Sequence, residues 1–292
     1  MKISALFLFI LAFLHSFGQE PRPFPMEENA ILWEISGNGA KKGSYLFGTM
    51  HLIEKEYFFF PESLEKIVAK SKRLTTELGD FSDQSGLMKL MLLEEGTLFD
   101  FFNEEQTDSL LEWAESALGM NEKLFRLSFS KMKPFVVSQM GMQKQLNGKT
   151  ESYEMTLQKI AQENKLEMSG LETVEEQMSI FDGLTREQQA AMVMETIRES
   201  ENAMHFLREM ERVYVAQNID SLYAMITAEE GVISEEEDAF LNQRNERWIP
   251  KIEELIQSKR TFIAVGAGHL GGPNGIIRLL EQKGYTLTPV EL

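Results

Sequence analysis

The sequence predicts an α/β fold: a mixed central β-sheet built from N- and C-terminal segments, with a large helical insertion between them. Two observations carry this. Strand-length apolar runs crowd residues 31–78 and return at 261–290. Between them, apolar residues recur at spacings of three and four, the helical period, as in Leu110, Leu111, Trp113, Ala114, Ala117 and Leu118. With 292 residues, 43% of them apolar, the chain can bury a substantial core, and wholesale disorder is excluded.

The first residues read as an address. Lys2 precedes the apolar run Ala5–Leu14, and Gly18 and Gln19 follow. That run is shorter than the ~20 residues a membrane-spanning helix needs, and its layout is that of a cleaved secretory signal. The expected division is a signal peptide over 1–19 and a single α/β domain over 20–292, with the helical insertion at about 85–260. No cysteine follows the run, so a lipoprotein anchor is not expected, and the product should be secreted or periplasmic.

Ile31–Ser36 and Ser44–Gly48 alternate at period two around the turn Gly37-Asn38-Gly39, which predicts an antiparallel hairpin. Residues 62–72 are amphipathic, with Leu64, Ile67 and Val68 on one face. Arg73–Leu78 reads as a buried strand ending at Gly79. One strand, Lys165–Leu171, interrupts the helical middle, and Pro134 and Pro250 should break or kink helices. Glu235–Asp238 reads as a solvated helix start. Fourteen of the 17 methionines lie between Met88 and Met225, as core filling or as an adaptable groove. Thr261–Val265 is a continuous apolar run, expected of a central strand. Asn274 then caps a helix whose face is Ile276, Ile277, Leu279 and Leu280, and Tyr285–Val290 forms a last strand.

Charge and composition exclude several functions. A net charge of −17 argues against binding nucleic acid or anionic membranes. The absence of cysteine removes disulfides, thiol nucleophiles and cysteine metal sites. No later stretch approaches membrane-spanning length, so stable insertion is not expected.

Of the three histidines beyond the leader, two share a setting. Gly48-Thr-Met-His51 follows Tyr45–Phe47, and Gly266-Ala-Gly-His269 follows Phe262–Val265. In each case a strand runs into glycine and histidine comes three residues later. Glycine permits a sharp turn or a close backbone approach, and ligands of open α/β sheets bind beyond the strands' C-terminal ends. If both strands point the same way, the imidazoles converge. Otherwise each is a satisfied polar group at a strand end. His205 lies in a helical stretch and reads as structural or exposed.

Glu77 is the third member. A carboxylate inside Leu74–Leu78 is costly unless it is paired, protonated or metal-bound. Two histidines and a carboxylate form a common divalent-metal set that leaves positions for water. A salt bridge at the sheet edge is the other reading of Glu77, and Asp80 lies nearby beyond Gly79.

Three motifs fail. Gly266–Gly271 matches the dinucleotide fingerprint, but too little chain follows to complete a nucleotide-binding sheet. Gly148-Lys-Thr150 lacks the glycine spacing of a P-loop. Neither a Gly-x-Ser-x-Gly elbow nor a His-Glu-x-x-His helix is present.

The segments Leu32–Ile35, Tyr45–Leu52, Leu74–Leu78 and Val265–Gly272 together resemble the TraB/PrgY/GumN family, which includes the Tiki metalloproteases. Weaker likenesses lie at Gly170–Thr173 with Glu176-Gln177, and at Arg244-Asn245 with Trp248. The family is also similar to erythromycin-esterase-like and haem-iron-binding proteins. The resemblance implies an α/β core with a helical insertion and a site made of His51, Glu77 and His269. For the Tiki branch it implies peptide-bond hydrolysis dependent on a divalent ion such as manganese or cobalt; zinc also suits the donor set. Other members are linked to pheromone shutdown, where sequestering a peptide is enough.

The leading expectation is therefore a secreted, metal-dependent hydrolase of a peptide or small-molecule substrate, with His51, Glu77 and His269 on the ion. Glu172 is a further site candidate. Arg244 is expected to bind a substrate carboxylate, to stabilise an oxyanion, or to form a surface pair with nearby acids such as Glu246. The rivals are a non-catalytic sequestering protein and a metal-free esterase with a histidine base.

Overall fold

A computed structural model describes residues 28–51, 53–79, 88–145, 150–198, 201–228 and 238–292. The expected signal peptide, Leu52, Asp80, residues 148–149 of the Gly-Lys-Thr motif and residues 235–237 of the acidic run lie outside these.

Strand β1 (Leu32–Ser36) and β2 (Ser44–Thr49) form the expected antiparallel hairpin, with Leu32 opposite Phe47. The short β3 (Ile53–Glu54), helix α1 (Glu62–Lys70) and β4 (Arg73–Leu78) follow. Helices α2 (Glu104–Leu118), α3 (Glu122–Phe129) and α4 (Pro134–Gln145) come next. The short β5 (Thr150–Glu151), α5 (Tyr153–Glu163) and β6 (Glu167–Glu172) return the chain to the sheet. Helices α6 (Val174–Asp182), α7 (Arg186–Ile197), α8 (Glu201–Val215) and α9 (Ile219–Thr227) precede a π-helical turn, Asp238–Asn242. Helix α10 (Gln243–Ser258), β7 (Thr261–Gly266), α11 (Ile276–Gln282) and β8 (Thr286–Pro289) complete the chain.

The six-stranded sheet runs β6-β4-β7-β2-β1-β8. Strands β6, β4, β7 and β2 are mutually parallel, and β1 is antiparallel to both its neighbours. The fold is thus the mixed α/β architecture read from the sequence. Strand β7 is internal, and Phe262, Ile263, Ala264 and Val265 are all buried, as a strand covered on both faces requires. Tyr153 of α5 packs edge-on to Phe47, which lies beside Phe262.

The helical middle is not one uninterrupted insertion. Strand β6 joins the main sheet beside β4, so the chain returns to the core between α4 and α6. The helices between Leu98 and Ile197 enclose a second apolar core containing Leu98, Leu110, Trp113, Phe125, Val137 and Val193. The two prolines expected to break or kink helices stand in different places. Pro134 opens α4, where its missing N–H costs nothing. Pro250 lies inside α10, which continues through it. Helix α11 is capped by Gly275 rather than Asn274. Its backbone contact explains the glycine: a Cβ there would stand 2.2 Å from the carbonyl oxygens of Leu270 and Gly271.

Candidate functional site

Strands β2, β7, β4 and β6 all end on one rim of the sheet, and each delivers a polar side chain there. Thr49 pairs with Gly266 and Gly48 with Val265, so the two Gly-x-x-His turns leave the sheet at the same level. The turns also touch: a Cβ on Gly48 would stand 3.1 Å from the Cα of Ala267. Close approach, not a left-handed backbone, is therefore what these glycines allow; Gly266 has φ −52°. Glu77 reaches the same rim from β4 and Glu172 from β6.

The side chains meet on Glu77. Its Oε1 accepts the Gly266 N–H at 2.7 Å and faces His269 Nε2 at 3.7 Å and His51 Nε2 at 4.0 Å. Its Oε2 accepts from Arg244 Nη2 at 2.5 Å. Burial would raise this carboxyl, but the Arg244 and His51 charges and the Gly266 N–H outweigh it and bring Glu77 down to about 2, with His269 adding to this only where its ring is protonated.

The two imidazoles sit in different surroundings. His269 is buried. Its neighbour Asn245 donates through Nδ2 to the carbonyls of Asn274 and His269, which leaves Oδ1 to accept from His269 Nδ1 at 2.7 Å. The ring proton is thus on Nδ1, and Nε2 accepts from Arg244 Nη1 at 3.1 Å. Burial, reinforced by the Arg244 charge, pushes His269 down to about 3 despite Glu77, so the ring is neutral. His51 has 65% of its side chain accessible. Its Nδ1 lies 2.9 Å from Glu154 Oε1. Desolvation by the neighbouring protein, limited by that accessibility, acts to lower this group, but the Glu154 hydrogen bond and the Glu77 and Glu154 charges prevail and push it up to about 9.

Glu154 is the functional candidate that the sequence did not single out. The ladder of β3 with β5 sets Ile53 opposite Glu151, which aligns the end of the His51 turn with the start of α5. Glu154 accepts from Thr49 Oγ1 at 2.8 Å and from Ser152 Oγ at 3.0 Å. Burial would raise its carboxyl, but the His51 hydrogen bond and charge, its own backbone N–H and the Thr49 hydroxyl hold it below the usual range.

Arg244 is neither a surface residue nor free for substrate. It is buried, and its guanidinium donates to Glu172 Oε2 at 3.2 Å, Glu172 Oε1 at 2.6 Å, Glu77 Oε2, His269 Nε2 and the Phe240 carbonyl. These contacts use all five N–H groups of an arginine. The expected pairing with Glu246 or with a substrate carboxylate is therefore replaced by an internal strut between Glu77 and Glu172. Gln177 supports the same pair, donating to Glu172 Oε1 at 3.1 Å and lying 3.5 Å from Glu77 Oε2. Trp248 packs against both the His269 ring and the Arg244 guanidinium, each at 4.6 Å. His205 is exposed on α8 and plays no part.

The donor set suits a divalent cation in kind and in charge. Glu154 and Asn245 pin the outer ring nitrogens, the arrangement that directs an imidazole's other nitrogen to a metal. Metal ligation would require both rings neutral; Glu77, Glu154 and Glu172 would then outweigh Arg244 by two negative charges, which one divalent ion would cancel. The spacing is open: 3.7 and 4.0 Å exceed the edge of about 3.4 Å for four ligands at about 2.1 Å, and Arg244 already engages His269 Nε2. Accordingly, among the described residues no group of three or more His, Asp or Glu side chains is placed to hold a metal ion.

A polar rim of this kind, at the ends of parallel strands and built on two glycine-turn histidines, defines a class of α/β proteins with a carboxylate–imidazole centre. The model of the TraB/PrgY/gumN family matches residues 31–289, nearly the whole chain, and the chain belongs to that family. No curated protein and no solved structure gives a match. No described helix is long and apolar enough to cross a membrane.

Proposed function

We propose that this chain is an exported, divalent-metal-dependent hydrolase that cleaves peptide bonds at the His51–Glu77–His269 centre. The observation that carries the reading is the meeting of two imidazole Nε2 atoms on one ionised carboxylate oxygen, at the end of three adjacent parallel strands. His51, Glu77 and His269 would hold the ion, with manganese, cobalt or zinc suiting the donors. When bound, such an ion supplies an acidified water and polarises a carbonyl.

The chain's own residues divide the remaining work. Glu154 fixes the ring of His51, the more accessible imidazole and the one a substrate reaches first. Asn245 fixes the tautomer of His269. Arg244, with Gln177, keeps Glu77 and Glu172 from repelling each other. Without an ion neither imidazole is a free base at neutral pH: His269 Nε2 already accepts from Arg244, and His51 is protonated. That supports the ion-dependent reading over a metal-free esterase.

The test is a mixed peptide pool incubated with chelator-treated protein, with and without manganese, cobalt or zinc, beside His269→Ala. Cleavage that needs the ion and is lost in the variant is expected. Stoichiometric binding of intact peptide that survives His51→Ala would instead identify a sequestering protein. Cleavage indifferent to chelation would identify a metal-free hydrolase.

A further inference from the structure

The segment carrying His51 is held at both ends by one helix. Three residues before His51, the carbonyl of Gly48 accepts from the Tyr214 hydroxyl at 2.9 Å. Three residues after it, the Glu54 N–H donates to Glu211 Oε1 at 2.7 Å. Tyr214 and Glu211 are three residues apart on α8 and therefore share a face. Arg208, a further three residues back, lies 3.7 Å from the Glu54 carboxylate.

Both anchors are costly to build. Tyr214 and Glu211 are buried, at 1% and 0% exposure. Glu211 uses only one carboxylate oxygen, while its Oε2 is buried with no hydrogen-bond partner. A glutamate in such a place loses hydration and gains a single backbone bond. That bond belongs to no ladder of the six-stranded sheet, since among the described residues β3 pairs only with β5. What the bond fixes is Glu54, three residues after His51. Tyr214 serves the partner of His51 as well: its ring stands edge-on to Tyr153, 5.5 Å away, and Tyr153 immediately precedes Glu154.

We propose that Tyr214 and Glu211 are positioning residues that clamp the Gly48–Glu54 segment and so hold His51 in register with Glu154. The proposal rests on reading His51 as a working group of the site. Removing either anchor frees one end of the turn, and the 2.9 Å contact of His51 Nδ1 with Glu154 is the first to loosen.

The experiment is nitrogen-15 NMR of histidine-labelled full chain, with His51→Ala assigning the His51 signals. Peptide cleavage and melting temperature are measured on the same samples. Tyr214→Phe keeps the ring packing and removes only the hydroxyl. Glu211→Gln keeps an acceptor for the Glu54 N–H, and Glu211→Leu removes it. The expected result is a shifted or exchange-broadened His51 Nδ1–H signal in Tyr214→Phe and Glu211→Leu, and a wild-type signal in Glu211→Gln. Alongside it, kcat should fall about 10- to 100-fold in the first two with KM little changed, and the His269 signals should stay in place. An unshifted His51 signal in Tyr214→Phe would overturn the proposal, as would a Glu211→Gln spectrum as altered as a folded Glu211→Leu. If Glu211→Leu does not fold, the other two variants still decide. Should wild-type protein cleave no peptide while the His51 signal moves as stated, the hydrolase reading fails and the clamp stands.

Discussion

At the scale of single residues, the site is an exercise in keeping buried charge paired. Glu154 illustrates it: three donors converge on one carboxylate, and one of them is the accessible imidazole. Glu154→Ala would free the His51 ring and leave Thr49 Oγ1 without its acceptor. A 10- to 100-fold loss in kcat/KM for peptide cleavage is expected, the usual cost of removing an orienting partner behind a working histidine; an unchanged value would show that His51 needs no orientation. The titrations make a second prediction for chelator-treated protein. His51 rises from about 6.5 unfolded to about 9 folded, so its contribution to stability is full below pH 6.5 and is lost as pH climbs toward 9. His269 falls to about 3 and Glu77 to about 2, so theirs is full above pH 6.5 and about 4.3 respectively and is lost as pH drops. Unfolding midpoints should therefore peak near pH 6.5. In His51→Gln the alkaline decline should flatten while the acid limb stays; an unaltered alkaline limb would place its origin elsewhere. His51, Glu77 and His269 were legible in the sequence because each sits in a strand or strand-end pattern. Glu154 was not: it is one acid among many, three residues past a two-residue strand, and only the β3–β5 ladder brings it to His51.

At the scale of elements, glycines decide how closely the strands and turns approach. Gly266 and Gly170 face opposite fates. Gly266 has an ordinary extended backbone, so alanine fits its conformation, but the new Cβ would stand 3.3 Å from Glu77 Oε1, 3.6 Å from His269 Cδ2 and 3.7 Å from His51 Nε2. Gly266→Ala should fold normally yet occupy the space between the imidazoles, lowering affinity for manganese measured by calorimetry; unaltered binding would separate that space from the ion. Gly170 lies on β6 against the end of β4, and a Cβ there would stand 2.3 Å from the Gly79 nitrogen. Two backbones cannot yield as a flexible side chain can, so Gly170→Ala should cost more than about 2 kcal/mol in denaturant unfolding; a cost below ~0.5 kcal/mol would mean the strands part easily. The six strands of the main sheet were readable, since their apolar runs follow the sheet's periodicity, whereas the two-residue β3 and β5 were not. The roles of Pro134 and Arg244 were not. Proline's effect depends on where the helix begins, and the partners of Arg244 arrive from β4 and β6.

At the scale of the molecule, two apolar cores divide the work. The sheet core gathers Phe47, Phe262, Ile263, Tyr153 and Trp248 from both ends of the chain and from α5 and α10. The second core lies wholly between Leu98 and Ile197 and contains no residue of the six-stranded sheet. The site rests on the first core: His51, Glu77, Glu172 and His269 follow or end its strands, and Arg244 lies on α10. The second core therefore can loosen without moving them. Leu110 is fully buried in that second core. Leu110→Ala should cost about 2–5 kcal/mol locally. In hydrogen exchange, amides of α2, α3, α4 and α7 should lose protection while those of β4 and β7 keep theirs. Ile263→Ala, in the sheet core, should weaken protection in the strands. Equal loss of protection everywhere in Leu110→Ala would show that the two cores unfold as one.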